Sequence, residues 1–158
     1  MTKPRKGTKT AAKPASKAKA KADSSPGPEK SALILVVDDF ADNRDMYARF
    51  LQFSGFRAET ASSGEEALEK AFGLRPDLIV MDLSLPGLDG WEATRRLKRD
   101  DRTRHTPVVA VTGHAFTGSQ KSATDAGCDG YISKPCLPAD LLAEIRRVLA
   151  GGRKAQRK

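Results

Sequence analysis

The sequence predicts an α/β fold: five short parallel strands alternating with helices, the helices covering both faces of the sheet. Three observations predict it. Three apolar runs of five residues, rich in branched side chains, lack the polar alternation of a half-exposed strand. Strands that are apolar throughout are buried on both faces. Each run is also followed by a stretch with helical spacing, and alternating strand and helix builds a parallel sheet.

Taken in order, LILVV (33–37) is the first strand. A helix follows over 42–54, with Met46, Phe50 and Phe53 at i, i+4 and i+7 as its expected core face. A short strand is expected near 57–60. GEEALEKAF (64–72) reads as the second helix, and DLIVM (77–81) is the second apolar run. A third helix is expected over 90–99, then the run PVVAV (107–111). Residues 117–126 read as helical and GYI (130–132) as a short last strand. The final helix, 138–149, places Leu141, Ile145, Val148 and Leu149 on one face.

The chain has 158 residues, 28 Lys+Arg, 20 Asp+Glu and a net charge of +8. That charge is unevenly placed. Residues 1–30 hold nine basic and two acidic side chains, and 151–158 hold four basic and none acidic. Residues 31–150 hold 15 basic against 18 acidic. The expected organisation is therefore a basic, disordered Lys/Ala/Pro-rich head (1–30), one acidic domain (31–150) and a basic tail (151–158). The head has too few large apolar residues to offset the entropy of ordering it. No apolar run is long enough to span a bilayer, and the N-terminus lacks the apolar region of a secretory signal. Two cysteines, Cys128 and Cys136, read as reduced thiols, so a cytoplasmic location is expected. With His105 and His114 they show no zinc-ligand spacing.

In open parallel sheets, sites lie beyond the carboxyl ends of the strands. Asp38 and Asp39 follow the first run, Asp82 the second and Thr112 the third; Lys134 and Pro135 follow the last strand. Carboxylates brought this close raise each other's pKa unless a cation lies among them. An all-oxygen site suits Mg²⁺, with Mn²⁺ as the alternative. A cation, a lysine and a hydroxyl are what a phosphoryl group needs, because phosphoryl transfer is mostly positioning and charge neutralisation. Aspartate is a competent phosphoryl acceptor. Pro86, Gly87 and Gly90 suit a tight loop after Asp82.

Four segments, ILVVDDFADNR, LIVMDLSLPGLDGWEA, VVAVTGHA and AGCDGYISKP, resemble the receiver domain of two-component response regulators over about residues 32–150. The resemblance implies a stand-alone, chemotaxis-receiver-like (βα)5 domain with the flavodoxin-like strand order 2-1-3-4-5. It implies Asp82 as the phosphoacceptor, and Asp38, Asp39 and Asp82 as Mg²⁺ ligands together with the Ser84 backbone carbonyl. It implies Thr112 as the switch hydroxyl, Lys134 as the lysine that pairs with the phosphoryl group, Pro135 as the proline of a cis peptide and Tyr131 as the aromatic that turns inward on switching. It implies, finally, a sensor histidine kinase or histidine phosphotransfer protein as donor, and a downstream protein partner. The chemistry implied is self-phosphorylation and self-dephosphorylation rather than turnover of a metabolite.

Taken singly, the same residues have plainer readings. Asp38 and Asp39 suit a helix N-terminus; Tyr131 suits a half-buried structural position, His114 an exposed loop and Cys136 a packed small apolar site. After the last helix only nine residues remain, so output is expected through a protein partner rather than a further folded domain. A different function is phosphorylation-gated, non-specific nucleic-acid binding through the basic head, which would be steeply salt-dependent. The head has no aromatic residue to stack on single strands. An aspartate-nucleophile phosphatase is disfavoured because Ser84, not an aspartate, stands two residues after Asp82. Nucleotide binding is disfavoured because no Gly-rich loop follows the first strand.

Overall fold

The computed structural model describes residues 32–113 and 119–157. The head (1–30), His114 and the first two residues of the helix expected over 117–126 lie outside the described residues. The chain runs β1 (Leu33–Val37), α1 (Ala41–Phe53), β2 (Arg57–Ala61), α2 (Gly64–Leu74), β3 (Leu78–Asp82), α3 (Gly90–Arg99), β4 (Val108–Thr112), α4 (Ser119–Ala126), β5 (Gly130–Ser133) and α5 (Pro138–Arg157). The strands form one sheet in the order β2-β1-β3-β4-β5, and every pairing is parallel.

The three central strands are buried along their whole length, as their uniform apolarity requires. Alternate side chains feed two cores. Leu35, Ile79, Met81 and Ala110 pack under α2, α3 and α4. Ile34, Val36, Val80 and Val111 pack under α1 and α5, against Leu51, Leu141 and Ile145. Each fully buried Leu, Ile or Val contributes roughly 1.5–3 kcal/mol of transfer free energy. β2 lies at the sheet edge, and there the residues of RAETA alternate between exposed and less exposed positions.

Helix starts are fixed locally. Ser63 accepts the Glu66 N–H at 3.0 Å, and the Glu66 carboxylate accepts from the Ser62 N–H at 2.8 Å, closing both ends of the first turn of α2. Asp89 caps α3 by accepting the Glu92 N–H at 2.8 Å. Pro138 opens α5, where its missing N–H is no loss. Among the described residues, no helix is long and apolar enough to cross a membrane.

Two expectations from periodicity need correction. The buried face of α1 is Tyr47, Ala48 and Leu51, not Met46, Phe50 and Phe53. Met46 is 42% exposed and Phe53 92% exposed. The two stripes are adjacent on the helix, and the larger aromatic residues make the outer one look more apolar. The inner stripe wins because small Ala48 lets the helix approach the sheet, while the Tyr47 ring is buried with its hydroxyl at the Cys136 sulfur, 3.4 Å away. Nothing in the structure explains the exposure of Phe53. The last helix also does not stop at 149: α5 continues through Gly151 to Arg157. Gly151 is not in the left-handed conformation that ends a helix, and the Arg, Lys, Ala and Gln that follow are strong helix formers.

Candidate functional site

At the carboxyl edge of the sheet, Asp82 is the last residue of β3 and Thr112 the last of β4. Asp38 follows β1 directly and Lys134 follows β5 directly. The parallel register sets these ends side by side: Val37 lies opposite Met81, Asp82 opposite Val111, and Thr112 opposite Ser133. Topology alone therefore gathers residues 38, 82, 112 and 134 from four separate stretches of chain.

Asp38 and Asp82 are both 3% exposed, whereas Asp39 is exposed. One carboxylate oxygen from each of the three lies within 4.8 Å of the others. Such an oxygen-only group could hold a divalent cation. The Lys134 ammonium lies 3.2 Å from an oxygen of Asp38 and 3.2 Å from one of Asp82. The remaining oxygens are satisfied by backbone: Asp38 Oδ1 accepts the Phe40 N–H at 2.9 Å, and Asp82 Oδ1 accepts the Ser84 N–H at 2.9 Å. These short-range bonds fix the carboxylate rotamers before any ligand arrives.

The electrostatics follow from burial. Desolvation raises the Asp82 pKa above the ordinary carboxylate value; the Ser84 N–H and Lys134 oppose this without cancelling it, and Asp38 adds to the rise. Burial works against the charge on Lys134, but Asp82 and Asp38 outweigh it and hold the ammonium pKa above normal. The lysine is thus charged at neutral pH. Two buried carboxylates face that ammonium and an exposed third lies close to them, so the cluster has a standing attraction for added positive charge.

The other anticipated residues fall around this centre. Thr112 is 3% exposed, and its carbonyl accepts the Lys134 N–H at 2.7 Å, tying β4 to the lysine. The Lys134–Pro135 peptide is cis. Ser84 is exposed on the loop just after Asp82. Tyr131 is half-buried against the core beneath α2, α3 and α4, and its N–H donates to Glu144 at 3.2 Å. Cys136 is half-buried beside Tyr47.

Two contributions were not read from the sequence. The Arg44 guanidinium, one turn into α1, donates to the Asp38 carbonyl at 2.9 Å and pins the loop that carries the acidic pair. No sequence signal separates it from the other arginines. Gly90 opens α3, as the helix expected over 90–99 requires, and its further role is close approach: a Cβ there would run into the Asp82 carbonyl oxygen and Leu83 Cα. Gly87, with φ +70°, is the residue that makes the turn. The helix needs glycine at 90 to press against the strand end. Replacing Gly90 by Ala is therefore expected to cost about 1–3 kcal/mol, read as a lowered urea midpoint with an unchanged m-value. A midpoint equal to wild type would show that the helix shifts freely.

Comparisons with known proteins agree with this geometry. The family model described as response regulator receiver domain matches residues 34–146. The polar-differentiation response regulator DivK of Brucella anthropi is 41% identical over 116 residues, covering 73% of this chain and 94% of that protein. Chemotaxis protein CheY4 of Vibrio cholerae superposes with a TM-score of 0.71 at 32% identity, covering 75% of this chain and 98% of that one. The receiver domain of sensor histidine kinase PA1611 from Pseudomonas aeruginosa, solved with a magnesium ion coordinated in its active-site cleft, gives 0.70 at 32% identity over 76% of this chain and 98% of that one.

Proposed function

The chain belongs to the response regulator receiver family, and from that premise we propose that it is a phosphorylation switch which accepts a phosphoryl group on Asp82. The observation that carries the reading is the cluster itself: Asp82 at a strand end, 3.2 Å from the Lys134 ammonium and within 4.8 Å of two further carboxylates. Receivers are signalling domains, so the chemistry is one transfer in and one hydrolysis out.

Asp38, Asp39 and Asp82 would hold Mg²⁺, with the Ser84 backbone carbonyl as a further ligand. The ion supplies charge neutralisation for the incoming phosphoryl oxygens. Asp82 is the nucleophile: the oxygen that faces Lys134, rather than the one held by the Ser84 N–H, attacks phosphorus in line with the leaving group, and an acyl phosphate forms as the bond to the donor breaks. Lys134 moves from bridging two carboxylates to facing the phosphoryl group. Thr112, beside it on β4, offers a hydroxyl to another phosphoryl oxygen. Tyr131 follows on β5 and turns inward to re-form the surface read by a protein partner. The donor in this reading is a phosphohistidine on a sensor kinase or a histidine phosphotransfer protein.

The test is direct. The protein is incubated with a small-molecule phosphodonor and Mg²⁺, trapped with borohydride and mapped by mass spectrometry. Label on the Asp82 peptide is expected, and label elsewhere overturns the assignment. Asp39→Ala, which removes the exposed ligand while leaving the buried pair intact, is expected to weaken Mg²⁺ binding about tenfold or more, since losing even an outer-shell partner of a metal site typically costs that much. Calorimetric titration checks it; unchanged affinity would remove Asp39 from the ligand set.

A further inference from the structure

Lys134 has the longest reach to make in the site. β1 and β5 are separated in the sheet by β3 and β4, a span of about 14 Å at roughly 4.8 Å per strand. Yet the ammonium lies 3.2 Å from an oxygen of Asp82 and 3.2 Å from one of Asp38. A lysine side chain is a flexible stem, so its aim depends on how firmly its backbone is held. On one side the hold is a strand bond: the Lys134 N–H donates to the Thr112 carbonyl at 2.7 Å and fixes the residue to β4. On the other side the chain crosses from the end of β5 to Pro138, the start of α5. Pro135 has no N–H to contribute to that crossing.

α1 supplies the second hold. Tyr47 is 4% exposed in the core that α1 and α5 share. Its hydroxyl lies 3.4 Å from the sulfur of Cys136, two residues past Lys134. Arg44 stands three residues earlier on the same side of α1 and donates to the Asp38 carbonyl at 2.9 Å. One helix therefore touches both the chain leaving β1 and the chain leaving β5. Leu51, on the buried face of the same helix, fills this core with no polar atom, so packing alone does not call for a hydroxyl at 47. A buried hydroxyl costs free energy unless it finds a partner. Burial raises the Tyr47 pKa, and Cys136, Asp38 and Asp82 add to the rise, so the hydroxyl keeps its proton at neutral pH.

We propose that Tyr47 is a positioning residue for phosphoryl transfer: its hydroxyl, through Cys136, holds the Lys134 loop so that the ammonium faces Asp82. The inference rests on Asp82 as phosphoacceptor and adds to that site a residue of α1 outside the carboxylate–lysine cluster. The pair is not among the groups that would hold the metal. Its loss therefore acts on the rate of transfer and not on the affinity for Mg²⁺.

The experiment uses the full chain with acetyl phosphate as donor and saturating Mg²⁺, and follows label on the Asp82 peptide over time by mass spectrometry. Tyr47→Phe keeps the buried ring and removes only the hydroxyl. It is expected to lower the labelling rate about three- to tenfold, the scale of one neutral hydrogen bond, while the Mg²⁺ concentration giving half-maximal rate stays at the wild-type value. Cys136→Ala is expected to give the same drop and the double variant no further one, because both changes remove one contact. Cys136→Ser, which keeps a partner for the hydroxyl, is expected to recover most of the rate lost in Cys136→Ala. A wild-type rate in Tyr47→Phe would overturn the inference and leave Asp82 as the acceptor. Losses that multiply in the double variant would also overturn it, since they mark two independent packing effects. No label on wild-type Asp82 would overturn the acceptor reading itself, and the inference with it.

Discussion

Asp82→Asn is expected to reduce phosphorylation by a small-molecule donor to background while the fold persists. The substitution keeps the shape of the side chain and the oxygen that accepts the Ser84 N–H. It removes the nucleophilic carboxylate and one negative charge from a buried cluster. Stability supplies a second readout. Burial raises the Asp82 pKa, so the folded state favours the protonated form. Without a divalent cation, wild-type stability should therefore fall as pH rises through that raised pKa. The favourable contribution is complete only below the ordinary carboxylate pKa. Asparagine has no such titration. In EDTA the variant should melt above wild type at neutral pH, and the two curves should converge in acid. Persistent labelling on another carboxylate would sink the acceptor assignment. A variant less stable than wild type at neutral pH would show that the Lys134 pairing outweighs the cost of burying the charge.

The fold was legible because its cause is simple. Runs such as LILVV and LIVMD are apolar on both faces, and a parallel sheet covered by helices is the arrangement that buries both. The site was legible for a related reason. Parallel topology puts the residues after each strand on one edge, so reading Asp38, Asp82, Thr112 and Lys134 required only the strand ends. Fine details escaped where two local patterns competed. On α1 the apolar stripe of Met46, Phe50 and Phe53 competes with that of Tyr47, Ala48 and Leu51. Side-chain apolarity favours the first, but close approach to the sheet favours the second. The close packing of Gly90 on the end of β3 has no sequence signature, because glycine has two uses, conformational freedom and absence of a side chain, and sequence does not say which applies. Arg44 reaches a backbone carbonyl of Asp38, and that partner has no sequence signature. The continuation of α5 to Arg157 is hidden in the sequence because a Gly-Gly pair usually ends a helix, and here it does not.

Lys134→Met separates two roles that the geometry gives to one ammonium. In the resting protein Lys134 is the counter-ion of Asp38 and Asp82, 3.2 Å from each. Methionine keeps most of the side-chain length but leaves two buried carboxylates facing each other. Breaking a fully buried pair costs about 3–5 kcal/mol. The Lys134 side chain is 23% exposed, so water recovers part of that, and a loss of about 1–3 kcal/mol is expected. Because the Lys134 pKa is raised, its contribution is complete at neutral pH and is lost only as the pH climbs through that raised value. The loss should therefore be flat across neutral pH, and millimolar Mg²⁺ should restore much of it by replacing the missing charge. Phosphorylation should not be restored. A positioned cation aimed at developing phosphoryl charge is worth about 10²–10³ in rate, and Mg²⁺ held by the carboxylates does not occupy the position of the ammonium. The expected result is thus stability rescued by metal together with a rate that stays two to three orders of magnitude down. Recovery of both would reduce Lys134 to a counter-ion. Recovery of neither would mean that the lysine shapes the site before any metal binds.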